Sequence, residues 1–253
     1  MLHYHLYQND HFNFSRKLLL LHGSRLAGLE TWDKVAHKLT GWSEILVPDL
    51  PGVGLLNPMN KSDNAFDLKD LLTVLEHLVN LHRWAKFDIA SYSFGGVLSM
   101  FLAKNLSKKV QKQLLIESAL LVAPIELLPR VGIRMIEIAN TMLVDSELGN
   151  QNFSELVASN QRRFSLKANT RPIHNPLGFA NLLQILSKVL LSNNINSLIS
   201  VQKEATPVIT EYASDEAKSM IQYLKSQYNW KTYDIQGADH GMVFLQPQKV
   251  ADT

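Results

Sequence analysis

Three times in the first hundred residues, a short apolar run gives way to a turn of small or polar residues and then to a stretch with helical spacing. The runs are Lys17–Leu21 before His22-Gly23-Ser24, Glu44–Val47 before Pro48-Asp49-Leu50-Pro51-Gly52, and Phe87–Ala90 before Ser91-Tyr92-Ser93. Runs this short, buried on both sides and alternating with helices, predict a parallel sheet with crossover connections. One crossover is expected over Asp63–Trp84, where Phe66, Leu68, Leu71, Leu72, Leu75, Leu78 and Val79 share a helical face, and another over Gly95–Leu106. His3 and His5 fall on an expected edge strand near the N-terminus.

A fourth run, Gln113–Glu117, is followed after Pro124 by a long stretch of helical periodicity that includes Val131–Leu143, Phe153–Phe164 and Leu177–Leu191. Strand rhythm returns at Pro207–Tyr212, a helix is expected from Asp215 to about Tyr228, and a last strand at Lys231–Ile235 leads into Gly237-Ala238-Asp239-His240. The expected organisation is therefore an α/β core over 1–123 and 201–253, with a helical lid over 124–200 inserted between sheet strands. At 253 residues the chain is long enough for such a core. It contains no cysteine, which excludes disulfides, zinc–thiolate sites, iron–sulfur clusters and thiol nucleophiles. A net charge of +2 does not point to nucleic acid. The N-terminus lacks the basic start and apolar run of a signal peptide and no apolar stretch approaches membrane-span length, so cytoplasmic residence is expected.

The sharpest chemical signal is Ser91-Tyr92-Ser93-Phe94-Gly95-Gly96, between an apolar strand and a helix. A strand turning sharply into a helix lifts its corner residue, Ser93, above the sheet edge, and needs small neighbours because the two backbones run close together. Ser91 and Gly95 supply them, with Ser91 replacing the usual glycine. A serine nucleophile needs a base. Of nine histidines, His240 follows the last expected strand and reaches the same carboxyl edge. The base in turn needs a carboxylate. Asp215, after Pro207–Tyr212 and before His240, is the expected acid; Glu211 and Glu216 compete, as do Asp145 or Glu117 if the acid comes from the preceding strand. Two backbone N–H groups, those of Ser24 and Phe94, are the expected oxyanion hole, with His22 bracing the loop.

These segments resemble a lidded serine hydrolase of the α/β-hydrolase family. The resemblance is carried by Leu20-Leu21-His22-Gly23-Ser24 with Trp32, Val47-Pro48-Asp49-Leu50-Pro51-Gly52-Val53-Gly54, the Ser93 turn, Pro207-Val208-Ile209 leading to Asp215, and Gly237-Ala238-Asp239-His240 with Pro247. Two departures stand out: Leu55-Leu56-Asn57 in place of small polar residues, and an end at Thr253 where the family normally continues into a full final helix, which implies a shortened C-terminus. The resemblance implies carboxylic ester hydrolysis through an acyl-enzyme on Ser93, with no metal or organic cofactor. Lactonases and carbon–carbon bond hydrolases share the serine, and a non-catalytic ligand-binding module is the alternative from another class.

From Leu156 to Lys203 there is no Asp or Glu, while Arg162 and Arg163 fall there and Arg130 and Arg134 lie one helical turn apart earlier in the lid. Lid arginines resemble those with which pimeloyl-carrier-protein methyl ester esterases of biotin synthesis hold their protein substrate. They imply an acyl-carrier-protein ester as partner. Leu127, Leu128, Val131, Ile133, Met135 and Ile136 are the expected lining of an acyl tunnel.

Overall fold

The structure is a computed structural model that describes residues 2–9, 16–54, 65–159, 173–202 and 205–253. Seven strands form one sheet: β1 (Tyr4–Gln8), β2 (Lys17–Leu21), β3 (Glu44–Pro48), β4 (Phe87–Tyr92), β5 (Val110–Ile116), β6 (Ala205–Thr210) and β7 (Tyr233–Ile235), in the order β1-β3-β2-β4-β5-β6-β7. Edge strand β1 runs antiparallel to β3, and the remaining pairs are parallel. The central strands read as unbroken apolar runs because both faces are covered. On β2, Leu19 and Leu21 join one apolar cluster and Leu18 and Leu20 the other, and all six residues of β4 are buried.

Helices α1 (Gly28–Ala36), α2 (Leu68–Leu81) and α3 (Phe94–Asn105) are the crossovers. Asp67 and Asp70 cap α2 reciprocally, each side chain accepting the other's backbone N–H at 2.9 Å, which fixes where the helix starts. The register then sets the site. Leu21, Ser91, Leu115 and Pro207 lie side by side across four parallel strands, so the residues that follow them leave the sheet at one edge.

Between β5 and β6 run α4 (Leu128–Val144), α5 (Ser146–Ser159), α6 (Pro176–Leu190) and α7 (Ile195–Ser200). Leu55-Leu56-Asn57, Arg162, Arg163 and the end of the expected Phe153–Phe164 helix lie outside the described residues. The start of α6 sits directly on the loop after β3, where a Cβ on Gly178 would fall 1.9 Å from the Gly52 carbonyl oxygen. Glycine is required at that contact, which fastens the inserted helices to the sheet edge. Past β6 come α8 (Asp215–Tyr228), and past β7 the short α9 (Met242–Leu245) and α10 (Pro247–Ala251). Among the described residues no helix is long and apolar enough to cross a membrane.

Candidate active site

Ser93 sits between β4 and α3 with φ 53° and ψ −117°, a left-handed conformation that costs a non-glycine residue on the order of 1–3 kcal/mol. Packing holds it there. The Ser93 N–H donates to the Ile116 carbonyl at 3.0 Å, and its carbonyl accepts from Gly96 and Ala119 at 3.0 and 3.1 Å. A Cβ on Gly95 would lie 2.5 Å from the Leu21 carbonyl, and one on Gly96 would lie 2.3 Å from Ser118 Oγ. Ser91, fully buried, donates its hydroxyl to the Leu114 carbonyl at 3.1 Å, so serine serves at the position where glycine is usual.

Facing the turn is the loop after β2. His22 is fully buried; its Nδ1–H donates to the Gly23 carbonyl at 2.6 Å and its Nε2 accepts from the Leu50 N–H at 2.9 Å. This pairing fixes one neutral tautomer, and burial lowers the imidazole pKa to about 4 against the opposing pull of the Gly23 carbonyl and the Asp49 charge. His22 therefore braces the loop, as expected from the sequence. Gly23 lies against Ser93, with an added Cβ 3.3 Å from the serine Cβ, and Ser24 and Phe94 line the same cavity as Ser93. The Phe94 N–H belongs to the first turn of α3, where no intrahelical acceptor exists.

His240 also lines that cavity. Its Nδ1–H donates to Glu117 Oε2 at 3.3 Å, the two side chains being 16% and 8% exposed. This leaves Nε2 as the ring nitrogen able to accept a proton. Glu117, the residue after β5, has φ 46° and accepts the Thr210 N–H on Oε1 at 2.7 Å. Burial alone would raise its pKa, but the hydrogen bond and charge of His240, with the Thr210 contacts, outweigh burial and hold the carboxyl below its ordinary value. The Tyr92 hydroxyl donates to the His240 carbonyl at 2.6 Å, and its ring lies 5.0 Å from the imidazole. Burial, reinforced by Glu117 and Asp239, pushes the phenol well above its usual value and keeps it a donor.

The structure does not bring the expected acid, Asp215, to the histidine: the carboxylate hydrogen-bonded to His240 is Glu117. Asp215 is the exposed first residue of α8, whose cap is Ser214, with the Ser214 hydroxyl accepting the Ala217 N–H at 3.1 Å. An aspartate in a first turn complements the helix dipole. Two further competitors are engaged elsewhere. Glu211 accepts the Gly237 N–H at 2.6 Å, and Asp145 accepts the Glu147 and Leu148 N–H groups at 3.1 and 3.0 Å.

Apolar side chains close the cavity, which measures about 70 Å³. Val131 and Met135 of α4 contribute as expected, whereas Leu128 is core and Ile133 and Ile136 are exposed, at 52% and 36%. Phe153, Leu156 and Leu186 complete the wall and were not foreseen. Arg130 and Arg134 are exposed, and Arg134 pairs with Glu137 at 2.9 Å. Arg25, next to Ser24, lines an adjoining recess with Ser93 and His240 and donates to Asn150 Oδ1 at 2.9 Å, and burial lowers its pKa to about 10.

Comparison with known proteins extends this picture. MenH from S. aureus superposes with a TM-score of 0.79 at 16% identity, covering 100% of this chain and 96% of that one. A thermophilic esterase from Thermogutta terrifontis gives 0.74 at 16%, covering 99% and 90%, and an enol-lactonase from Burkholderia xenovorans LB400 gives 0.72 at 14%, covering 99% and 94%. At such identities the likeness is one of fold. No protein among curated sequences matches this one. The alpha/beta hydrolase family model, however, matches residues 18–253, and the chain belongs to that family.

Proposed function

We propose that the protein hydrolyses small carboxylic esters with short apolar acyl groups through an acyl-enzyme on Ser93. The observation that carries this reading is the convergence of Ser93, His240 and Glu117 on one apolar cavity, with His240 Nδ1 committed to the carboxylate. In this reading the Ser93 hydroxyl attacks the ester carbonyl while His240 Nε2 takes its proton, and the anionic Glu117 stabilises the imidazolium that forms. The Ser24 and Phe94 N–H groups receive the developing oxyanion. The intermediate collapses with the alcohol leaving as His240 returns the proton. Water, deprotonated by the same imidazole, then releases the acid and regenerates Ser93.

Cavity size favours a short acyl group. At about 70 Å³, walled by Val131, Met135, Phe153, Leu156 and Leu186, the cavity suits a small apolar group. A long acyl chain on a carrier protein fits this less well, and the Arg134 charge is already met by Glu137. Turnover of p-nitrophenyl esters from acetate to octanoate, alongside simple lactones, tests the reading. The expected result is fastest hydrolysis of the two- to four-carbon esters and covalent labelling of Ser93 by a fluorophosphonate. Absence of labelling would favour a ligand-binding module, and faster turnover of lactones than of any ester would overturn the substrate class.

A further inference from the structure

Away from the Ser93 cavity, three side chains meet at the junction of β1 and the end of β3. Asp49 is fully buried, with one carboxylate oxygen accepting the Gly28 N–H at 2.7 Å. Two imidazoles converge on its other oxygen: His3 Nδ1 at 2.5 Å and His5 Nε2 at 3.6 Å. His3, immediately before edge strand β1, and His5 within it are two residues apart, with their rings edge to face at 4.8 Å. His5 Nε2 is itself buried and has no hydrogen-bond partner. A buried ring nitrogen left in this state is costly, since its lost hydration is not replaced.

We propose that His3, His5 and Asp49 bind one divalent transition-metal ion, with zinc as the best match to two imidazoles and a carboxylate. The donor atoms lie within 4.8 Å of one another. A tetrahedral zinc with bonds near 2.1 Å sets its ligands about 3.4 Å apart. The two distances to Asp49, 2.5 and 3.6 Å, bracket that value, and rotation of the imidazoles brings the two nitrogens together. The buried carboxylate supplies the charge, and the orphaned His5 nitrogen gains a partner. The His3 side chain, 39% exposed, gives an entry path and leaves room for water as the fourth ligand. The ion takes no part in the Ser93 chemistry. It pins edge strand β1 to the end of β3, and through Asp49 and the Gly28 N–H to the start of α1.

The test uses the full-length, tag-free protein, stripped with a chelator and titrated with Zn²⁺ by calorimetry and with Co²⁺ by visible absorption. One equivalent of ion is expected to saturate, with the intense absorption of a low-symmetry cobalt site and a rise in Tm on zinc addition. His5→Gln should weaken binding by at least about tenfold, and the His3→Gln/His5→Gln pair should abolish it. Both keep Asp49 and its hydrogen bond to Gly28, so folding, followed by circular dichroism, is retained where Asp49→Asn risks the fold. No saturable binding to the wild-type chain, or binding equally tight in the paired variant, overturns the proposal.

Discussion

Ser93 and Glu117 directly follow adjacent parallel strands, and both hold left-handed backbone conformations at φ 53° and 46°. They leave different traces in the sequence. The serine's turn is also held by distant strands, but its small residues, Ser91, Gly95 and Gly96, stand within six positions, because any larger side chain there would strike Leu21 or Ser118. Glu117 owes its place to partners 93 and 123 positions along the chain, the Thr210 N–H and His240. A feature whose required small residues stand together can be read from a short window of sequence, while one that rests on a single side chain meeting distant partners cannot.

The sharpest break of this comparison is Ser93→Ala, which should remove fluorophosphonate labelling and lower kcat by roughly 10⁴-fold or more, as when one member of a cooperating set is lost. His240→Ala should match it. Glu117→Gln comes next: it keeps the shape but removes the charge that stabilises the imidazolium, and kcat should fall by about 10³–10⁴-fold. A Glu117→Gln enzyme with turnover near wild type would show that this strand end is structural and that the resemblance between the two strand ends is only geometric.

Legibility followed the same division. The rhythm of apolar run, turn and helix was sufficient for strands β2 to β4, whose boundaries differ from expectation by no more than two residues, and α8 begins and ends as its periodicity implied. The brace at His22 and the glycine after it were also readable, because loop and strand are contiguous. Sequence pointed to Asp215, whereas the carboxylate on His240 is Glu117, because an aspartate after a strand and before a helix looks the same whether it serves a histidine or a first helical turn. Glu117 carried no local mark beyond standing at the end of an apolar run. Periodicity marked α4 as amphipathic yet did not say which side faces the cavity: Val131 and Met135 line it, while Ile133 points outward.

His22 extends the comparison to stability. Its pKa is lowered to about 4 in the fold and returns to about 6.5 on unfolding, so between these values the unfolded chain binds a proton that the native state refuses. Stability should then fall as the solution is acidified from about pH 6.5 to 4, by on the order of 3 kcal/mol at the lower end. Glu117, depressed in the fold, adds a loss in the same direction at still lower pH, as its carboxylate is protonated. Chemical denaturation at several pH values measures both, and His22→Gln should flatten the upper part of the curve. An unchanged slope in that variant would mean that the loop brace does not discriminate protonation states.

The smallest expected effect belongs to Asp215→Asn, and it separates the two kinds of acid most cleanly. An exposed aspartate in the first turn of α8 interacts with the helix dipole, so the variant should lose only about 0.3–1 kcal/mol of stability, and less in high salt. Its turnover should stay within about twofold of wild type, because the hydrogen bond to His240 Nδ1 comes from Glu117. Measured beside Glu117→Gln on the same ester, the pair gives a ratio of about 10³ if the histidine answers to the end of β5. A ratio near one, with both variants crippled, would mean that the two carboxylates act on His240 together. A reversed ratio would return the acid to the loop after β6 and leave the left-handed turn at Glu117 as a feature of folding alone.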